Sequence, residues 1–229
     1  GSSSRNSGRF VKVFIVSDME GVAGIVKWEQ TDGTKEKRAY HEGRELYTEE
    51  INAAVRGAKS AGAREIVVMD CHGAGGEWTF NSLIPDKLDP DCEYVVQNDW
   101  TEYTELLSSG CDAALFVGMH AMAGTPDGVM NHTVSGTGWR NLSFNGTLVG
   151  ETGINAALCG TWGCPVLLVT GDRQVIAAVE LAGGKIRFPL ASAPEFSYFP
   201  TTLLKRRRMH SSFRFKRTGH RIRQRNLPR

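Results

Sequence analysis

A chain of 229 residues that is 41% hydrophobic and 23% charged has the composition of an ordinary globular protein, with apolar material for one large domain. It contains no run near the ~18 apolar residues of a membrane span and no apolar secretory segment in its first ten residues. Its five scattered cysteines, Cys71, Cys92, Cys111, Cys159 and Cys164, form no Cys-x-x-Cys pair. A membrane protein, a disulfide framework and a zinc knuckle are thereby disfavoured, and an intracellular protein, cytoplasmic or organellar, with reduced thiols is expected.

The net charge of +2 conceals two unlike segments. Lys205 to Arg229 carries 11 Lys/Arg and no acid, which leaves 16 bases against 25 acids, a net of −9, for residues 1 to 204. Residues 1–10, rich in Ser and Arg, are expected to be a disordered stub. Residues 11–190 read as one α/β domain, and 191–229 as a divergent basic tail. Such a tail binds nucleic acid through counterion release, or is a segment too poor in periodic apolar residues to fold; the second is preferred.

In chain order, Val11-Lys12-Val13-Phe14-Ile15-Val16 predicts a buried strand, which ends abruptly in Ser17-Asp18-Met19-Glu20-Gly21. Side chains two apart on a strand leave from the same face, so Asp18 and Glu20 can aim at one point. Two crowded carboxylates repel unless a cation lies between them, and oxygen ligands suit a divalent metal. The simpler alternative is that Asp18 caps the turn and Glu20 faces water. A helix from about Glu42 to Ser60 places Leu46, Ile51, Ala54, Val55 and Ala58 near one face and stops at Ala61-Gly62.

A second strand, 65–70, runs into Cys71-His72-Gly73; a weaker third covers 94–97; a fourth, 113–118, is followed at once by Met119-His120. The stretch 142–149 alternates around Asn145-Gly146, a strong hairpin signal. Glu151 then opens a helix to about Trp162, a fifth strand covers 166–170, and a last helix runs from Gln174 to Leu181. Short apolar strands separated by helices predict a three-layer α/β sandwich with a mostly parallel sheet, interrupted by one inserted antiparallel hairpin.

Ligands bind at the carboxyl ends of strands in such sheets. Asp18, Glu20, His72 and His120 would meet there from three strands. Each histidine taken singly is more often a hydrogen-bonded loop residue, and Glu151 is most simply an acid favoured by the helix dipole.

Together with Gly128-Val129-Met130-Asn131-His132-Thr133 and Val149-Gly150-Glu151-Thr152-Gly153-Ile154-Asn155, these motifs resemble, in order and approximate spacing, the D-aminopeptidases of the bacterial dipeptide-transport type, from about Val11 to Asp172. Beyond Asp172 the chain departs from the family pattern. The resemblance implies two zinc ions per chain held by Asp18, Glu20, His72, His120 and Glu151, with Asp18 shared between them. It also implies a catalytic His132 outside the metal shell, a short peptide with an N-terminal D-residue as substrate, and assembly into a ring-shaped decamer. Three carboxylates and two Zn²⁺ would leave the site at +1 with neutral histidines, favouring a hydroxide. A histidine that shuttles a proton at neutral pH would serve the amine leaving group. Another two-metal hydrolase acting on phosphate esters, or a non-catalytic metal- or nucleic-acid-binding protein, are the competing expectations.

Overall fold

Strand β1 (Val11–Ser17) is the middle of a parallel sheet in which it pairs with β2 (Ala63–Asp70) on one side and β4 (Ala113–Met119) on the other. Outside these lie β3 (Glu93–Val96), next to β2, and β7 (Val166–Gly171), next to β4. The computed structural model describes residues 10–76, 79–96, 107–181 and 224–226. The expected disordered stub, 1–10, therefore lies outside the described residues except for Phe10, whose exposed ring is covered by the Arg64 guanidinium at 4.2 Å.

The uninterrupted apolar run in β1 follows from burial on both faces. Val13 and Ile15 face one layer together with Ile66, Val68, Tyr94 and Leu115; Phe14 and Val16 face the other with Val67, Met69, Val95 and Phe116. Helix α1 (Lys37–Ser60) covers the first layer with Tyr40, Tyr47, Ile51, Ala54, Val55 and Ala58, at the spacing of a single helical face. Helices α2 (Glu151–Thr161) and α3 (Arg173–Leu181) bring Cys159 and Val175 to the second. The architecture is the expected three-layer α/β sandwich.

Two details of α1 differ from the sequence-based expectation. It begins five residues earlier, because the Glu36 carboxylate accepts the backbone N–H groups of Arg38 and Ala39 and so caps the first turn. Leu46, placed on the core face by periodicity, is instead 39% exposed and lines a surface groove with Ala23, Ala53 and Gly57. The hairpin is present as β5 (Ser143–Phe144) and β6 (Thr147–Leu148), joined by Asn145 and Gly146 with φ of 51° and 81°. Positive φ at both turn residues matches the twist of the two strands.

The basic tail enters the described residues only at β8 (Gln224–Asn226), which pairs in parallel with Tyr94, Val95 and Val96 of β3. At these three residues the tail lies along the sheet, where the outer backbone groups of an edge strand can accept an extended partner. The remainder of 191–229 lies outside the described residues. All five cysteines are free and buried. No helix among the described residues is long and apolar enough to cross a membrane.

The sheet's register decides where the chemistry goes. Ser17 stands beside Asp70 in β2 and beside Val117 in β4, so the three strands end level with one another. Their following loops then pack backbone to backbone. Asp18 N–H donates to Val117 O at 2.9 Å and Gly21 N–H to Gly118 O at 2.8 Å. A Cβ on Gly118, whose φ is +76°, would lie 2.0 Å from the Asp18 carbonyl oxygen. Gly118→Ala is therefore expected to cost about 3 kcal/mol or more, from a left-handed conformation plus a backbone clash that no rotamer relieves. Thermal unfolding should show it as a fall in Tm of roughly 6–12 °C, and an unchanged Tm would refute the close approach.

Candidate metal centre

Asp18, Glu20, His72 and His120 leave the level strand ends and are each 5% exposed or less. Glu151 joins them from the first turn of α2, where the helix dipole favours a carboxylate, and His132 from the long connection between β4 and β5. The five proposed ligands and the proposed catalytic histidine thus come together at one edge.

The Asp18 carboxylate stands between two groups. Its Oδ1 lies 3.4 Å from His72 Nδ1, which is also 3.0 Å from Glu20 Oε2. Its Oδ2 lies 3.3 Å from His120 Nε2, which is also 3.0 Å from Glu151 Oε1. Each half contains one histidine nitrogen, one private carboxylate oxygen and one oxygen of the shared aspartate. His132 stacks on His120 with ring centroids 3.8 Å apart and planes 10° from parallel, and its Nε2 is 3.7 Å from Glu151 Oε1.

All three histidines are held in the same manner. His72 Nε2 meets Thr31 O at 2.7 Å, His120 Nδ1 meets Ala121 O at 2.9 Å and His132 Nδ1 meets Met130 O at 2.9 Å. A carbonyl only accepts, so each of these nitrogens carries the proton and donates it. The opposite nitrogen of every ring is thereby directed at the carboxylates. Such backbone-oriented imidazoles are the usual outer support of metal-ligating histidines.

Without a cation this arrangement is costly. His72 Nδ1 and Glu20 Oε2, at 3.0 Å, would oppose two lone pairs, and neither Glu20 Oε2 nor His120 Nε2 has a partner in hydrogen-bonding geometry although both are buried. In the metal-free protein the surrounding carboxylates favour the protonated imidazoles. Burial pushes His120 down, but the nearby Glu151 and Asp18 carboxylates prevail and raise it to about 10. Burial likewise lowers His72, and the Glu20 and Asp18 carboxylates lift it well above its ordinary value. Burial raises Asp18, yet the closely facing His72 and His120 imidazoles hold it below the usual carboxylate range. A divalent cation would take over the role of these protons, and the donor set of histidine nitrogens and carboxylate oxygens fits zinc.

The supporting residues were not visible as functional in the sequence. Thr31 and Met130 act through carbonyl oxygens, and Trp28 meets His132 edge-on with centroids 5.5 Å apart. Asp70 reads as a strand end, but its buried carboxylate accepts the backbone N–H groups of His72, Ser82 and Leu83 and the Tyr47 hydroxyl. It fixes the turn that aims His72; its place directly before Cys71-His72 was the only available signal. The approach to His132 is strained as well: Met130 and Val134 have φ of 50° and 59°, and Val134 N–H donates to Glu151 Oε1 at 2.7 Å.

Comparison with known proteins gives one consistent family. A family model described as D-aminopeptidase matches residues 11–192, twenty residues further than the resemblance traced from the motifs, which stopped at Asp172. A D-aminopeptidase of Bacillus subtilis (strain 168) is 35% identical over 172 residues, covering 74% of this chain and 59% of its own length. A solved structure of the zinc-dependent D-aminopeptidase DppA from Bacillus subtilis, described as a self-compartmentalizing protease, superposes with a TM-score of 0.65 at 34% identity. It covers 75% of this chain and 60% of that one. The chain thus spans about three fifths of the length of the relatives it matches. A family match over most of the chain, on the fold that levels these strand ends, establishes that the protein belongs to the D-aminopeptidase family.

Proposed function

We propose that this chain is a zinc-dependent aminopeptidase that removes the N-terminal residue, a D-amino acid, from short peptides, with two zinc ions per chain. The observation that carries the reading is the division of Asp18, one carboxylate oxygen turned to the His72–Glu20 half and the other to the His120–Glu151 half. Zinc bound there would supply Lewis acidity for the scissile carbonyl and bring the pKa of a water from ~15.7 towards ~7. The chain's own residues do the rest. Glu20, His72, His120 and Glu151 hold the centre in place, and His132 Nε2, fixed by its Nδ1–H bond to Met130 O, is available to carry a proton to the departing amine.

The deciding experiment is metal content per chain measured beside hydrolysis of D-alanyl and L-alanyl dipeptides and a phosphodiester. Two zinc ions with cleavage of the D-peptide supports the reading; cleavage of the phosphodiester alone would replace it with another two-metal hydrolase. Because one of the relatives is a self-compartmentalizing protease, we also propose a homo-oligomer, with a decamer as the expected size. Sedimentation of the purified protein as a monomer would overturn that part.

Metal binding should release protons. The carboxylates around His72 and His120 raise both, which favours the protonated rings when no cation is present. Zinc requires the neutral rings, so protons and metal compete and affinity falls as pH is lowered. Calorimetric titration of the metal-free protein near pH 7, in two buffers of different ionisation enthalpy, should report release of up to about two protons per chain. Absence of any buffer dependence would contradict the protonation assigned here.

A further inference from the structure

We propose that Trp28 is the specificity wall of this centre, the surface on which an apolar side chain of the substrate's N-terminal residue packs; the inference rests on the aminopeptidase reading above. Three rings lead from the buried site to the surface. His120 is buried, His132 stacked on it is half-buried, and Trp28, T-shaped to His132 at 62° between ring planes, is 41% exposed. Among the described residues the ring partners of His132 are these two, and His120 Nε2 is turned towards the carboxylates. A substrate whose scissile nitrogen lies within reach of His132 Nε2 places its first side chain close by, and the open indole is an apolar surface that adjoins that ring.

A single exposed tryptophan is ordinary on a protein surface, but this one stands on a built turn. Trp28 opens the 3-10 turn Trp28–Gln30, and its carbonyl accepts both the N–H and the hydroxyl of Thr31. The Gln30 side chain bridges Val26 N–H and Gly24 O. Gly43 of α1 is backed onto the turn so closely that a Cβ there would lie 2.2 Å from Gln30 O. The next residue, Thr31, is the one whose carbonyl orients His72. The backbone that carries the indole is therefore fixed next to the residue that orients His72, and the indole itself meets His132 edge-on. Lys35, 5.7 Å from the indole centroid and ion-paired with Asp32 at 3.6 Å, flanks it with a charge. An aromatic face without a hydrogen-bonding task discriminates by burial of apolar surface, a gain that a glycyl substrate does not offer.

The test compares wild type, Trp28→Ala and Trp28→Phe, loaded with zinc, on D-leucyl, D-phenylalanyl and glycyl dipeptides that share the same second residue. One methylene more or less against a hydrophobic surface is worth roughly 10–200-fold in discrimination. In Trp28→Ala the ratio of kcat/KM for D-leucyl over glycyl peptide should fall at least about tenfold, chiefly through KM, with Trp28→Phe retaining most of the preference. Metal content and the pH profile should stay those of wild type. An unchanged ratio in an active Trp28→Ala enzyme would overturn the inference alone. So would an equal loss of kcat on every peptide with a displaced pH profile, which would make Trp28 a positioning residue for His132. Wild-type protein that cleaves none of the peptides would remove the aminopeptidase reading, and the inference with it.

Discussion

Asp18→Ala is expected to leave the chain with no bound metal and no peptide hydrolysis. Asp18 is the one residue that both halves of the centre share, Oδ1 facing His72 and Oδ2 facing His120. Removing it leaves each half with one histidine and one carboxylate, too few protein ligands for the three of a typical catalytic zinc site. The same substitution also strips two raised imidazoles of the carboxylate between them. Elemental analysis after gel filtration reads the outcome. Retention of one ion per chain would show that one half stands alone and that Asp18 does not bridge. Glu151→Ala provides the contrast, since it should empty the His120 half and spare the His72 half.

His132→Ala should keep its metal and lose about 10²–10⁴-fold in turnover, the usual contribution of a positioned acid–base group. The geometry leaves a second role to be tested by the same protein. His120, His132 and Glu151 offer ligand atoms that lie within 4.8 Å of one another and could hold an ion together. Yet His132 Nε2 is 3.7 Å from Glu151 Oε1 where His120 Nε2 is at 3.0 Å, and no oxygen of Asp18 is paired with it. Its ring is stacked behind His120 and meets Trp28 on the way to solvent, which suits proton exchange with a bound substrate better than coordination. Loss of an ion from His132→Ala would place the residue among the ligands, and turnover equal to wild type would make it a loop histidine.

The arrangement of strands and the convergence of the centre were legible in the amino-acid sequence. Burial on both faces forces strands such as Val11–Ser17 and Ala113–Met119 into apolar runs, and the acids and histidines that break those runs mark where each strand leaves the core. The Asn145-Gly146 hairpin was legible for the same local reason, since few other dipeptides take two positive φ values in succession. Periodicity misplaced Leu46, because the core position of that turn of α1 is taken by the fully buried Tyr47, and Leu46 leaves the helix about 100° away from it.

Other features depend on three-dimensional register alone. Ser17, Asp70 and Val117 come level through pairing between strands 50 residues and more apart, and that pairing sets the distances at Asp18. Thr31, Ala121 and Met130 fix the three histidine tautomers through backbone carbonyls, which every residue possesses and no side-chain pattern announces. The sequence by itself determined which side chains could bind a metal and that they would share one edge of a parallel sheet. Only the tertiary structure decided which nitrogen of each imidazole faces inward and how Asp18 divides its oxygens, because hydrogen bonds to the backbone and the alignment of distant strands exist only once the chain has folded.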